Sequence, residues 1–223
     1  FQILKSNIVD GIICGTSTSS ADEYSRVEKP MVMLDYKVDK KFPVIVSDHV
    51  MGGRLAAQEF INNGCKYVIH ISGKRTDDHI MSFQSHEVLD QLLRETGIRS
   101  RRVEINWNDF DFEGYFELAK YILENYPDVD GVMAADLPAT AFLKAALAIG
   151  KKLPDELAIV AYDGTFVTKT GITQFTTICQ PYAAIAQKAV QSLLEIINGD
   201  GMQERVPAEI LLPVRLEKGT TTK

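Results

Sequence analysis

The 223-residue sequence has no hydrophobic run near the roughly 18 residues that a membrane-spanning helix requires. It also shows no basic stretch followed by an apolar segment and a cleavage site, which is the pattern of a secretion signal. We therefore expect a cytoplasmic protein that does not enter a membrane. With 45% hydrophobic residues, the chain can bury one large core or two small ones.

Cysteine is scarce, with Cys14, Cys65 and Cys179 far apart in the sequence and odd in number. Each lies in or beside an apolar segment, so we expect each thiol to be reduced and to act as a packing residue. Neither a disulfide framework nor a cysteine metal site is indicated.

The sequence motifs of common enzymes are missing. Ser72 is not part of a Gly-x-Ser-x-Gly turn, and the pair Gly52-Gly53 has no adjacent lysine of the kind a phosphate-binding loop needs. The four histidines have neither the i,i+4 spacing nor the paired cysteines of a metal site; they are His49, His70, His79 and His86. We expect no catalytic residues, no metal and no cofactor.

Basic residues are outnumbered, and the formal net charge is -6. A protein that grips nucleic acid needs a concentrated basic surface, so this chain is not expected to bind DNA by itself. The densest basic cluster, Arg99, Arg101 and Arg102, follows Gly97 and is predicted to be a solvated loop between a helix and a strand.

Apolar runs alternate with amphipathic helical patterns along the whole chain, which predicts an α/β fold with parallel sheets. The predicted strands are 8–14, 31–34, 44–46, 67–71, 103–105, 131–135 and 157–161. The predicted helices are 52–63, 87–96, 113–125, 139–149 and 182–198, and residues 1–7 resemble the end of a further helix. No low-complexity linker, heptad pattern or fixed-period repeat interrupts this order.

The stretch 157–186 is the most informative part of the sequence. A short apolar strand ends in the turn Ala161-Tyr162-Asp163-Gly164, and the segment 175–181, Phe-Thr-Thr-Ile-Cys-Gln-Pro, follows it. In order and spacing this resembles the LacI family of sugar-responsive repressors. In that family a Gly-(Phe/Tyr)-Asp-(Asp/Gly) turn precedes a Leu-Thr-Thr-(Val/Ile)-x-Gln-Pro segment that opens the next helix.

Further landmarks extend the resemblance over nearly the whole chain. They are the Pro-x-Val-x-Leu-Asp pattern at 30–35, the pattern from Val46 to Lys66, and the closing strand 211–216 with Gly219-Thr220-Thr221. The turn Tyr162-Asp163-Gly164-Thr165 is most similar to the sucrose-operon branch of the family.

The resemblance implies two doubly wound parallel-sheet subdomains with a hinge cleft, of the type I periplasmic-binding-protein-like kind. It implies an N-terminal subdomain of residues 1–73 and 181–213, and a C-terminal subdomain of residues 74–180 and 214–223. The helix-turn-helix head, its hinge and the first strand-helix unit are expected upstream of Phe1. The implied partners are a sugar or sugar phosphate, a second copy of the chain, and operator DNA through the head.

Three candidate ligand residues lie in the most informative stretch. Asp163 stands at a strand end, where open α/β sheets bind ligands, and its alternative role is to cap the turn. Gln180 is a candidate hydrogen-bonding residue, with capping of the next helix as the alternative. Tyr182 is a candidate for stacking on a sugar ring, with helix core as the alternative.

Other candidates follow from positions that the family uses. Ser85 takes the position of the family's cleft arginine, so His86 or Gln84 would have to donate there, unless they only cap a helix start. Asp136 is the polar group left at its strand end, because Ala135 replaces the usual asparagine.

The remaining candidates lie in predicted loops. Trp107 and Phe110 fall where the family places an aromatic residue of the cleft, and core packing is the alternative for both. Thr16 belongs to the loop 16–20, which either lines the cleft or is an ordinary surface loop.

The function that we predict is that of the effector-binding core of a LacI-type repressor, in which a sugar or sugar phosphate alters operator binding. A solute-binding protein of a sugar transporter shares the same architecture and is the alternative.

Overall fold

A computed structural model describes residues 8–15, 21–38, 42–75, 78–106, 111–199 and 206–223. The described strands are β1 (Ile12–Cys14), β2 (Met31–Leu34), β3 (Val44–Ser47), β4 (Tyr67–Gly73), β5 (Arg99–Ile105), β6 (Gly131–Ala135), β7 (Ala158–Asp163), β8 (Thr176–Cys179), β9 (Glu209–Leu212) and β10 (Arg215–Glu217). The described helices are α1 (Ala21–Ser25), α2 (His49–Asn63), α3 (Phe83–Glu95), α4 (Phe112–Asn125), α5 (Asp136–Ala148), α6 (Phe166–Lys169) and α7 (Tyr182–Asn198).

The chain divides into two compact units. Unit 1 contains the described residues of Phe1–His49, Arg75–Ser82 and Pro181–Pro213. Unit 2 contains the described residues of Val50–Lys74, Phe83–Gln180 and Val214–Lys223.

Unit 1 is built on a four-stranded sheet in the order β1-β2-β3-β9, with every pair parallel. One face of the sheet is covered by α7, because Val32 and Ile45 of the sheet and Ala189 and Ile196 of the helix share one buried cluster. Parallel strands need this kind of helical cover, since both of their faces are apolar.

Unit 2 is built on a six-stranded sheet in the order β10-β8-β7-β6-β4-β5. Successive residues of a strand point to opposite faces, and each face has its own core. Ile69 and Ile159 pack with Phe142 of α5 on one face, whereas Val68 and Val160 pack with residues of α2 and α3 on the other. The predicted α/β fold with parallel sheets is confirmed.

The division of the chain differs from the predicted subdomain boundaries between residues 50 and 82. The prediction placed 50–73 in the N-terminal subdomain, but the structure places Val50–Lys74 in unit 2 and Arg75–Ser82 in unit 1. The physical reason is packing, because Phe60 of α2 is fully buried in the same core as Val68 of β4. In the predicted and in the observed division alike, the chain passes from one part to the other after residues 180 and 213.

The sequence prediction of the strands is wrong at two places. The closing strand predicted over 211–216 is two strands, of which β9 pairs parallel with β3 in unit 1 and β10 pairs antiparallel with β8 in unit 2. The segment 175–181 contains β8, a strand that the sequence did not predict, whereas α7 begins at Tyr182 as predicted. Pro213 interrupts the closing segment between β9 and β10, since proline donates no ladder hydrogen bond.

The basic cluster is also placed differently from the prediction. Arg99, Arg101 and Arg102 lie on β5, an edge strand of the unit 2 sheet, rather than in a loop. The guanidinium of Arg99 lies 3.7 Å from the ring centroid of Tyr67, and that of Arg101 lies 4.9 Å from the ring centroid of Tyr126. Charged side chains on an edge strand also hinder unwanted pairing with another sheet.

None of the three cysteines, all of which are among the described residues, forms a disulfide bond. Cys65 and Cys179 are buried, and burial raises the pKa of the Cys65 thiol to about 12 and that of the Cys179 thiol to about 11. These two side chains are therefore protonated at neutral pH and fill space in unit 2.

Gly53 allows α2 and α3 to approach closely. A Cβ atom at this position would lie 2.4 Å from the main-chain oxygen of Ser85, which cannot move without displacing its helix. We expect Gly53→Ala to lower the free energy of unfolding by about 1 to 2 kcal/mol, because overpacking forces backbone shifts. Urea denaturation measures this loss. Gly171→Ala is the matched control, since the nearest atom to its Cβ is 3.5 Å away, and an equal loss in both variants would contradict the explanation.

Candidate functional site

Asp163 ends β7 in an unusual backbone conformation. Its φ angle is 112°, in a region that side-chain-bearing residues rarely adopt. Gln180 fixes the residue at two points, because its side-chain Nε2 donates to Asp163 Oδ1 at 2.7 Å and its main-chain N donates to Asp163 O at 3.0 Å. Such strain is often concentrated at ligand sites, where the surrounding structure holds it in place.

The next residue explains why the turn requires glycine. Gly164 has a φ angle of 70°, and a Cβ atom there would lie 2.4 Å from Cys179 Sγ. The turn therefore lies against the end of β8, and this close approach brings Gln180 within reach of Asp163.

Asp136 holds the same turn from the neighbouring strand. Its carboxylate accepts hydrogen bonds from Gly164 N at 3.2 Å, from Thr165 N and Thr165 Oγ1 at 2.6 Å each, and from Thr168 Oγ1 at 3.4 Å. The residue is only 4% exposed. Burial raises the pKa of Asp136, although the hydrogen bonds from Thr165, Gly164 and Thr168 oppose that rise. This geometry favours a positioning role over the direct ligand contact that we predicted.

Gln180 and Tyr182 were each given two possible roles by the sequence. The N-cap residue of α7 is Pro181, which makes no side-chain capping hydrogen bond, and the side-chain amide of Gln180 donates to Asp163. Tyr182 is 45% exposed, which does not fit the alternative of a helix-core residue. Gln180 instead orders Asp163, and Tyr182 presents an accessible ring in unit 1.

Ser85 and His86 lie in the first turns of α3. Ser85 is buried, at 2% exposure. His86 Nδ1 lies 2.9 Å from Nδ1 of His70, a fully buried residue of β4. His86 is therefore engaged with the strand beneath it, a contact that the sequence did not predict.

The other predicted site residues, Trp107, Phe110 and Thr16, lie outside the described residues. A cavity of about 270 Å³ lies at the ends of β4 and β5 in unit 2. Its polar lining includes Lys74, Glu104, Asn106 and Asp111.

The sequence analysis missed a second strained carboxylate, which lies in unit 1. Asp35 follows β2 directly and has a φ angle of 52°. Its Oδ1 lies 3.1 Å from Nε2 of the buried His49 and accepts a long hydrogen bond of 3.4 Å from Ser47 N. The signal was available, because Asp35 follows an apolar strand just as Asp163 does.

The chemistry of these groups is that of recognition. Each unit has a strand-end carboxylate in a strained backbone, and carboxylates accept the hydroxyl hydrogen bonds of polar ligands. The described part of the chain contains no group of three or more His, Cys, Asp or Glu side chains placed to hold a metal ion. Among the same residues, no helix has the length and apolar character that crossing a membrane requires.

The fold is that of an α/β protein with parallel sheets, and the comparisons with known proteins identify its family. The family model described as the periplasmic binding protein-like domain matches residues 57–222. The chain belongs to this family. Its predicted resemblance to the effector-binding domains of LacI-family regulators is also confirmed.

Two curated relatives are operon repressors. The ribose operon repressor of Halalkalibacterium halodurans is 29% identical over 100% of this chain and 65% of that protein. The sucrose operon repressor of Streptococcus mutans is 30% identical over 98% of this chain and 65% of that protein. The chain thus spans a little under two thirds of the length of these relatives.

Solved structures show the same fold. A periplasmic binding protein/LacI transcriptional regulator from Alkaliphilus metalliredigens, complexed with D-xylulofuranose, is 26% identical. The match covers 100% of this chain and 81% of that one, with a TM-score of 0.85. A LacI family regulator from Enterococcus faecalis with bound ribose is 22% identical over 99% of this chain and 80% of that one, also with a TM-score of 0.85.

Proposed function

We propose that this chain is the effector-binding part of a LacI-type transcriptional repressor and that its effector is a sugar or sugar phosphate. The observation that carries the proposal is Asp163, a strand-end carboxylate held in a strained conformation by Gln180. The relatives support the ligand class, since they are named ribose and sucrose operon repressors.

The proposed ligand contacts are of two kinds. Asp163 accepts hydrogen bonds from sugar hydroxyl groups, and Tyr182 offers its exposed ring to the apolar face of a sugar. Trp107, Phe110 and Thr16 remain proposed contacts on the strength of the family resemblance. We assign Ser85 and Gln180 to supporting the site rather than to contacting the ligand. Ser85 is buried, and Gln180 donates a hydrogen bond to Asp163.

In the proposed mechanism the effector shifts a population between two conformations of the protein. A ligand does this only if it binds one conformation more tightly than the other. Operator DNA would be read by a helix-turn-helix head outside this sequence, since the chain itself carries a net charge of -6. The proposed setting is the cytoplasm.

A homodimer is part of the proposal, because operator half-sites are commonly read by symmetric dimers. Unit 2 carries two large apolar side chains that are well exposed, Phe166 at 76% and Ile172 at 108%. These side chains are close together in the sequence and suit burial against a second copy.

The alternative of a solute-binding protein for a sugar transporter is less well supported. The curated relatives reported above are named as operon repressors. The sequence upstream of Phe1 distinguishes the two possibilities. A helix-turn-helix there supports a regulator, and a secretion signal supports a transport protein.

A ligand screen tests the proposal. Thermal-shift and calorimetric measurements would compare ribose, sucrose, fructose, glucose and xylulose, together with their phosphates. We expect one of them to raise the melting temperature in a saturable way with one site per chain, because a ligand that binds only the folded state stabilises it. The L-enantiomer of the active sugar serves as the control. No response to any member of the panel would contradict a sugar effector.

A further inference from the structure

Three side chains of unit 2 form a hydrogen-bonded chain between β4 and α3. His70 of β4 is fully buried, and its Nε2 lies 2.9 Å from Oδ1 of Asp90. Its other nitrogen, Nδ1, lies 2.9 Å from Nδ1 of His86. The two imidazole rings are stacked, with centroids 5.1 Å apart and planes inclined by 21°. His86 and Asp90 are four residues apart and so lie on one face of α3.

The geometry determines where the protons are. A carboxylate only accepts hydrogen bonds, so Nε2 of His70 carries a hydrogen and donates it to Asp90. In neutral His70 the other nitrogen is then an acceptor, and Nδ1 of His86 must be the donor. The short contact between the two Nδ1 atoms thus requires one hydrogen between them. With no hydrogen there is no donor, and with two hydrogens there is no acceptor.

The groups around the pair fix its charge environment. From α3 come Asp90 and the neighbouring Glu87, and from β5 come Ser100 and Arg102, which lie 2.6 Å and 3.6 Å from the Asp90 carboxylate. The cross-strand neighbours of His70 are the uncharged Met133 on β6 and the same Arg102 on β5.

Asp90 stays ionised through the whole range in which histidine titrates. Burial opposes its ionisation, but the hydrogen bonds from His70 and Ser100 and the charges of His70 and Arg102 outweigh burial and lower the pKa of Asp90 to about 2. One added proton on the histidine pair therefore sits beside a permanent negative charge.

We propose that His70 and His86 form a proton-sensitive contact, which holds the start of α3 to β4 with no or one added proton and releases it when both rings are protonated. A second proton would place two N–H groups and two positive charges against each other. The contact lies just after Arg75–Ser82, where the chain passes from unit 1 into unit 2. Acidification therefore acts on α3, the helix that begins directly after this crossing.

The direction of the pH effect follows from proton counting. In the unfolded chain both histidines have the ordinary histidine pKa of about 6.5. Below that pH the unfolded state therefore binds two protons at these side chains. The intact folded pair binds one. Because the unfolded state then binds more protons, the folded state loses stability as the pH falls through this range.

The experiment compares wild type with His86→Asn. The asparagine amide can occupy the place of Nδ1 and either donate to His70 or accept from it, but it cannot take up a proton. Hydrogen exchange of the amides at 87–90, which donate to the main-chain oxygens of the first turn of α3, would be measured at pH 7 and pH 5 and corrected for intrinsic rates. We expect about tenfold less protection at pH 5 in wild type and less than about twofold change in His86→Asn. His79→Asn is the matched control, because His79 bonds the main-chain oxygen of Lys37 in unit 1, and it should behave as wild type.

A second measurement does not depend on any variant. Imidazole NMR titration of the wild-type protein should show His70 and His86 titrating together in two steps, as a coupled pair does. Independent single-step titrations of the two rings, or the same loss of protection in wild type and His86→Asn, would overturn the proposal.

Discussion

Asp163→Asn will bind the sugar identified by the screen about 100-fold more weakly than wild type. Hydrogen bonds to a charged group contribute about 1.5 to 3 kcal/mol each, and losing the charge while two such bonds weaken accounts for a loss of this size. Asparagine keeps an oxygen for the Gln180 contact and tolerates the positive φ angle. The variant therefore removes the charge and leaves the turn in place.

Calorimetry measures the affinity, and circular dichroism with a melting curve checks that the fold is kept. Asp155→Asn is the matched control, because Asp155 is an exposed carboxylate of unit 2 whose recorded ion pair, with Lys223, is also exposed. Unchanged affinity in Asp163→Asn would remove Asp163 from the ligand site. Equal weakening in the control would show that net charge, rather than a contact, is responsible.

Asp136→Ala will lower the free energy of unfolding by about 3 kcal/mol, since it leaves several buried donors of the turn without an acceptor. The donors are the main-chain N–H groups of Gly164 and Thr165 and the hydroxyl groups of Thr165 and Thr168. Asp136→Asn will lose less, because an amide oxygen placed towards Thr165 keeps every bond except that of Gly164. Urea denaturation should rank the two variants in this order.

The pH profile gives an independent check on Asp136. Burial raises its pKa, so the folded state holds this proton more tightly than the unfolded chain does. The resulting stabilisation is complete below the ordinary carboxyl pKa and is lost as the pH rises through the folded value. Asp136→Asn mimics the protonated form and should lack this part of the profile. A profile identical to that of wild type would contradict the assignment.

The sequence predicted the fold best where one element contained all the information. The strand Gly131–Ala135 and the helix Tyr182–Asn198 were predicted to the residue, because a short apolar run and a long amphipathic pattern are local signals. Prediction failed at β8, whose threonines did not read as a buried strand. The hydroxyl group of Thr176 can be buried because it forms a hydrogen bond with the hydroxyl group of Thr222, which is 46 residues away.

The candidate site shows the same limit. Asp163 could be selected from its position after a strand, but the partners of Asp136 lie 28 to 32 residues further along the chain. A sequence does not show that a carboxylate at one strand end is already engaged by the next turn. The contact between His70 and His86 was missed for the same reason, since a spacing of 16 residues matches no local pattern.

The short stretch from β9 to β10 has a consequence for how the protein forms during synthesis. Strand β9 completes the sheet of unit 1 and β10 completes that of unit 2, with only Pro213 and Val214 between them. Neither sheet can be completed until this late stretch has left the ribosome. Until then, the strands that pair with β9 and β10 have unpaired edges that other chains can bind. Overexpression at high temperature should therefore favour aggregation, and slower translation near the end of the chain should not relieve it.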